Sequence, residues 1–238
     1  MRRRDGSRQP TKRRPSHILG ALLAAAAATQ TSGCRGFDRP RAETLLELRA
    51  MPWTQELFDS AFEIEIDGPM LAGIFDAVLA RAGGGDAVGA AETSAEAPAL
   101  AVRLQLFPDL GGKVLDVVAS PLGIFATGDA SRGAPAYRAE PPLDRAEPHL
   151  ALLLGALLAE VTCPPAPARV LGERRAAEGR ELQLRPALAA GSVVVMLEPS
   201  GEVRRYRISI GWLQISVEAD GRFEVSGADL RGRIQVLG

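Results

Sequence analysis

One pattern constrains this chain more than any other. Apolar and polar residues alternate in short runs, and turn-forming residues separate the runs. In FEIEID, residues 62–67, Phe62, Ile64 and Ile66 share one phase, and Glu63, Glu65 and Asp67 share the other. In ALAVRLQLF, residues 99–107, Leu100, Val102, Leu104 and Leu106 oppose Ala101, Arg103 and Gln105. A period of two places one set of side chains in a core and the other in water, which predicts half-buried strands. PDLGG and SPLG make turns, so KVLDVVA and IFATG return as an antiparallel meander. Beyond residue 168, RVLGERR, ELQLRP, SVVVMLEP, EVRRYRISIGWLQISVE, RFEVS and RIQVLG read the same way, with turns at Pro199-Ser200-Gly201 and Asp220-Gly221. In the longest of these, Tyr206, Ile208, Ile210 and Trp212 share one phase, and Leu213, Ile215 and Val217 the opposite one. A bulge beside Gly211 is the expected cause of the flip.

Two segments break the period of two. Residues 41–51 have helical composition up to Pro52, with Leu45, Leu48 and Met51 apolar. Residues 144–165 carry Leu150, Leu153, Leu154, Leu157, Leu158 and Val161, the stripe of a core-facing helix. Asp144 and Glu147 have N-cap and N3 spacing, Leu152 widens the apolar face, and Pro164-Pro165 ends the helix. MLAGIFDAVLARA, residues 70–82, is expected to be a strand bent at Gly73. Residues 83–98 are small, polar and without period, and are expected to be a flexible loop. The expected fold class is α+β, mostly β: a curved antiparallel half-barrel sheet wrapped around one or two helices in a single domain at 41–238.

The amino terminus reads as an address. A basic region, residues 1–16, precedes an apolar run at His17–Ala28 that is too short to span a bilayer. TSGC follows and is similar to the lipobox of bacterial lipoproteins, with Thr31 where that motif usually has Leu. The resemblance implies cleavage after Gly33, acylation of Cys34, and lipid anchoring in the cell envelope. By resemblance to enterobacterial lipoprotein sorting, Arg35 in place of Asp favours the outer membrane, facing the periplasm. A plain cleaved signal is the alternative, and the export route stays open. Residues 1–33 carry seven basic groups and one acid, so the remainder holds 21 basic and 28 acidic groups, a net charge of −7. Nothing in that balance suits nucleic acid. With Cys34 acylated, Cys163 has no partner cysteine.

Catalytic signatures are missing. His17 falls in the signal and His149 at a helix start, a structural position, with no nucleophile motif beside it. The chain has no G-x-S-x-G, no H-E-x-x-H and no P-loop. Glu63, Glu65 and Asp67 could face a cation, although a solvated strand face accounts for them. The expectation is a protein without enzymatic activity, metal or cofactor.

The order of elements resembles the LolA/LolB superfamily of half-barrel lipoprotein carriers and receptors. It runs from a lipoprotein signal through a helix, the meander VRLQLFPDLGGKVLDVVASPLG and the helix PHLALLLGALLAE to a second meander containing SGEVRRYRISIGW and DGRFEVSGADLRGRIQV. The resemblance implies an apolar cavity that holds acyl chains. Its candidate lining here is Leu100, Leu104, Val193, Val195, Ile208 and Ile210, with Trp212 near a rim. These residues could instead simply fill the core. The expected partners are the membrane, through the acyl anchor, and a lipid or lipoprotein ligand. The alternative is a structural or assembly lipoprotein that acts through protein contacts and binds no ligand.

Overall fold

The computed structural model describes residues 36–49, 51–81, 101–109, 111–162, 165, 167–188 and 191–237. Residues 37–238 form one compact unit, and of residues 1–36 only Gly36 is described. The expected loop at 83–98, together with Gly33, Cys34, Leu100 and Cys163, lies outside the described residues.

Among the described residues thirteen strands form one antiparallel sheet. They are β1 (Phe62–Asp67), β2 (Gly73–Arg81), β3 (Val102–Phe107), β4 (Leu115–Ser120), β5 (Gly123–Gly128), β6 (Tyr137–Ala139), β7 (Val170–Ala176), β8 (Gly179–Leu184), β9 (Ser192–Leu197), β10 (Val203–Ile210), β11 (Leu213–Glu218), β12 (Arg222–Ser226) and β13 (Leu230–Val236). Among the described residues two α-helices accompany them, α1 (Ala42–Glu47) and α2 (Leu150–Val161). The mostly-β α+β class expected from the alternation is therefore found.

The sheet order is β6-β5-β4-β3-β2-β1-β13-β12-β11-β10-β9-β8-β7. Two meanders meet where β1 pairs with β13, Phe62 opposite Val236 and Ile64 opposite Ile234. The two edges are β6 and β7, and α2 is the segment that connects them along the chain. Register keeps the apolar phase on one face. Ile64 lies opposite Phe75, Leu79 opposite Leu104, Leu104 opposite Val117, and Ile208 opposite both Ile215 and Val193. Helix α2 packs against β3, β4 and β5, and also against β10 and β11.

Three local expectations are corrected. The phase flip at Gly211 is a tight hairpin and not a bulge. β10 ends at Ile210, β11 begins at Leu213, and these two residues face each other. Gly211 takes φ +57°, a conformation that glycine adopts without steric cost. A two-residue turn reverses the chain and restarts the alternation, which produces the same signature as a bulge. β10 does carry an irregularity, but it lies between Val203 and Arg205. Second, α2 starts at Leu150, later than the Asp144 cap implies. Asp144 belongs to a separate single turn, Leu143–Arg145, and Ala146 is extended. Pro148 restricts Glu147 before it, so no helix runs through that point. His149 caps α2 instead, its Nδ1 accepting the Ala151 N–H at 3.1 Å. Third, Gly73 opens β2 and does not bend its middle.

Candidate functional site

The inward face of the sheet holds the residues proposed to line a cavity. Leu104 is 1% exposed, Val193, Val195 and Ile208 are each 0%, and Ile210 is 2%. Register gathers Val193, Val195, Ile208 and Ile210 into one patch on β9 and β10. Leu104 lies on β3, in the other meander, and α2 packs against both β3 and β10. Every residue of α2 is buried, including Leu150, Leu152, Leu153, Leu154, Leu157 and Leu158. The helix therefore behaves as an interior element, covered on all sides. Trp212 does not join the patch. It sits in the β10–β11 turn, 65% exposed, with its ring lying against Gly227 in the β12–β13 turn.

One charge enters this interior. Glu160, in α2, is 0% exposed, and its carboxylate takes the Arg169 guanidinium at 2.5 Å and the backbone N–H groups of Ala187 and Leu188 at 2.7 and 3.1 Å. Burial pushes its pKa up, and the Arg169 charge and the two N–H groups oppose that push without cancelling it. The carboxylate ties the end of α2 to the segments before β7 and before β9.

At the β7 edge a second polar group lies inward. Glu173 accepts from the Thr44 hydroxyl at 2.6 Å and from the Arg41 N–H at 3.2 Å, while Arg180 donates to Thr44 at 2.9 Å. Burial raises the Glu173 carboxyl, but Thr44, the Arg41 backbone and the Arg41 charge outweigh it and leave its pKa lowered. These contacts seat α1 on the sheet. The strand irregularity between Val170 and Gly172 shifts the alternation so that Glu173 shares a face with its partner Leu182.

The outward face is charged. A groove of about 850 Å³ runs over β1, β13, β12, β11 and β10, lined by Glu65, Asp67, Arg205, Glu218, Arg222, Glu224, Arg231 and Arg233 among others. The acids on β1, weighed as a cation site, face arginines across the strand: Glu65 lies opposite Arg233 and Asp67 opposite Arg231, the latter pair at 2.6 Å. Arg205 and Glu218 pair likewise at 2.6 Å. Elsewhere on this face Asp116 collects Arg103, Lys113 and Gln105, with Arg103 donating twice at 2.9 and 2.8 Å. The Arg103 hydrogen bonds outweigh the cost of burial, and Lys113 and Gln105 add to them, so the Asp116 carboxyl lies well below the usual carboxylate range.

His149 is a helix cap whose ring stacks on Tyr137, centroids 4.2 Å apart and 12° between planes. Burial lowers its pKa, which favours the neutral imidazole, the form that accepts at Nδ1. Among the described residues, no three His, Cys, Asp or Glu side chains converge as a metal site, and no helix is long and apolar enough to cross a membrane. Sequence reasoning missed Glu160 and Arg169. The available signal was a single acid inside the apolar run LALLLGALLAEV. It also missed the Arg41–Thr44–Glu173 contact, which has no local signal because 129 residues separate Thr44 from Glu173. Comparison with known proteins finds no family model and no curated protein that matches this chain.

Proposed function

We propose that the protein is an envelope lipoprotein, acylated at Cys34 after cleavage behind Gly33, whose sheet curves as a half-barrel around α2 and holds an acyl chain against its inward face. The observation that carries this reading is α2 itself. It links the two edge strands in sequence and packs on β3–β5 and on β10–β11, as a helix does when a sheet wraps it. The inward patch of Val193, Val195, Ile208 and Ile210 is sealed in this arrangement, so a ligand enters by displacing part of α2. An acyl chain of about 16 carbons offers about 12 kcal/mol at about 0.8 kcal/mol per buried methylene. Re-exposing a fully buried leucine costs about 1.5–3 kcal/mol, so the exchange balances for roughly four to eight leucines. The reading assigns no catalytic step, cofactor or nucleic acid partner, and it places the protein on the outer membrane facing the periplasm.

Two experiments test it. Metabolic labelling with a palmitate analogue should mark the wild-type protein and not Cys34→Ala, and an unlabelled wild type contradicts the anchor. A fluorescent fatty acid should bind the purified protein, be displaced by phospholipid, and fail to bind Ile208→Arg provided that variant keeps its circular dichroism spectrum.

A second reading has its own support. The inward residues are 0–2% exposed, and the outward face carries a charged groove. That arrangement suits an assembly lipoprotein that works through protein contacts and binds no ligand.

A further inference from the structure

We infer that the β7 edge of the sheet, with residues 37–41 laid across it, is the face the domain turns to a phospholipid bilayer. The inference rests on acylation of Cys34 and concerns what that anchor does to orientation. Phe37 lies against the outward side of β7. A Cβ added to Gly172 would come within 2.7 Å of the Phe37 Cβ, so glycine is what lets the two backbones approach. The Arg174 guanidinium stands 4.7 Å from the Phe37 ring centre. Asp38 then extends the sheet by one residue, exchanging backbone hydrogen bonds with Glu173 at 2.7 and 2.8 Å. Beyond it, Arg41 and Thr44 grip the Glu173 carboxylate on the inward side. The chain crosses the edge strand and is held on both sides of it.

The folded body thus begins at Phe37, and Arg35 and Gly36 are the only residues between it and Cys34. Three residue steps reach at most about 11 Å. Each headgroup layer of a bilayer is about 5–7 Å deep. A domain fastened this closely cannot stand clear of the lipid surface, and the edge that carries the fastening must be the near one. Its exposed groups fit that surface. Leu171 is 49% exposed on β7, and Arg175 on the same strand and Arg39 in the segment that crosses it are also exposed. An edge that exposes both an apolar side chain and guanidinium groups suits an interface of acyl chains and anionic phosphates. The mature chain carries a net charge of −7, so an anionic leaflet attracts this edge more than it attracts the domain as a whole.

The test uses the full chain, processed in cells and reconstituted into vesicles of phosphatidylethanolamine and phosphatidylglycerol. A photo-crosslinking phenylalanine analogue replaces Leu171 in one variant and Ile74 in another. Ile74 is an exposed residue on β2, eight strands from β7 in the sheet. Lipid adducts should form several-fold more at position 171. An insertion of about twelve Gly/Ser residues between Gly36 and Phe37, with a root-mean-square span of about 20 Å, should remove the difference. Equal yields at the two positions in an acylated protein overturn the orientation and leave the anchor intact. Absence of the acyl mass at Cys34 in the purified protein overturns the anchor itself, and the two failures are thereby distinguished.

Discussion

In β10, Ile208 is sealed in the interior while its neighbours Arg207 and Ser209 face outward. The same contrast runs along the sheet, and two buried carboxylates, Glu160 on the helix inside and Asp116 on the outward face, illustrate it. Glu160, inside, sits in apolar surroundings with one cation and two backbone donors. Asp116, outside, keeps its side chain 8% exposed under Arg103 and Lys113, which are themselves 43% and 37% exposed. Both carboxylates are satisfied, yet their pKa values move in opposite directions. Desolvation decides the inner one because Glu160 is fully buried and faces a single cation. Charge-assisted hydrogen bonds decide the outer one because two cations reach it, Arg103 through two hydrogen bonds, from side chains that water still solvates.

Breaking the inner pair should cost most. Glu160→Leu removes the buried carboxylate that faces the Arg169 charge and accepts from two backbone N–H groups, and should lower stability by about 3–5 kcal/mol in urea unfolding. Ile208→Ala removes packing without stranding a charge and should cost about 2–4 kcal/mol. Asp116→Asn should cost about 1 kcal/mol, since its cations are well solvated and screened by salt. Arg231→Ala, on the rim of the outward groove, should leave the unfolding midpoint unchanged within error, because its partner Asp67 is also largely exposed. A loss at Arg231 as large as that at Ile208 would erase the distinction between the faces.

Acid sharpens the contrast. The Asp116 pKa is lowered in the folded protein, so its contribution is present above the ordinary aspartate value of 3.8 and is lost as pH falls through the native value. The Glu160 pKa is raised, so its contribution is full below 4.5 and is lost as pH rises through the native value. The stability advantage of wild type over Asp116→Asn should therefore shrink on acidification. The advantage over Glu160→Gln should grow. Parallel trends in the two pH series would contradict the opposed environments.

Much of the strand layout was legible because alternation is a local consequence of the pleat. FEIEID and VRLQLF became β1 and β3 with the expected faces. The hairpin at Gly211 was not legible, since a two-residue turn and a bulge both invert the phase. The α2 cap went to His149 because Pro148 excludes the helix that Asp144 would have started. The apolar patch named as a candidate site was legible as buried strand residues. Val193, Val195, Ile208 and Ile210 do converge, because β9 and β10 are joined by a short turn, whereas Trp212 belongs to the hairpin tip. The seating of residues 37–44 on β7 depends on contacts across about 130 residues and on the shifted strand that turns Glu173 inward, neither of which leaves a local pattern.

Native mass spectrometry of the full chain extracted from membranes tests the central claim most directly, because it weighs the anchor and any bound lipid in one spectrum. The account predicts a mature chain that begins at acylated Cys34 and carries one further acyl-chain ligand, which is lost in Ile208→Arg. A spectrum with the anchor mass alone, at every lipid concentration tried, would contradict the proposal that the inward face holds an acyl chain.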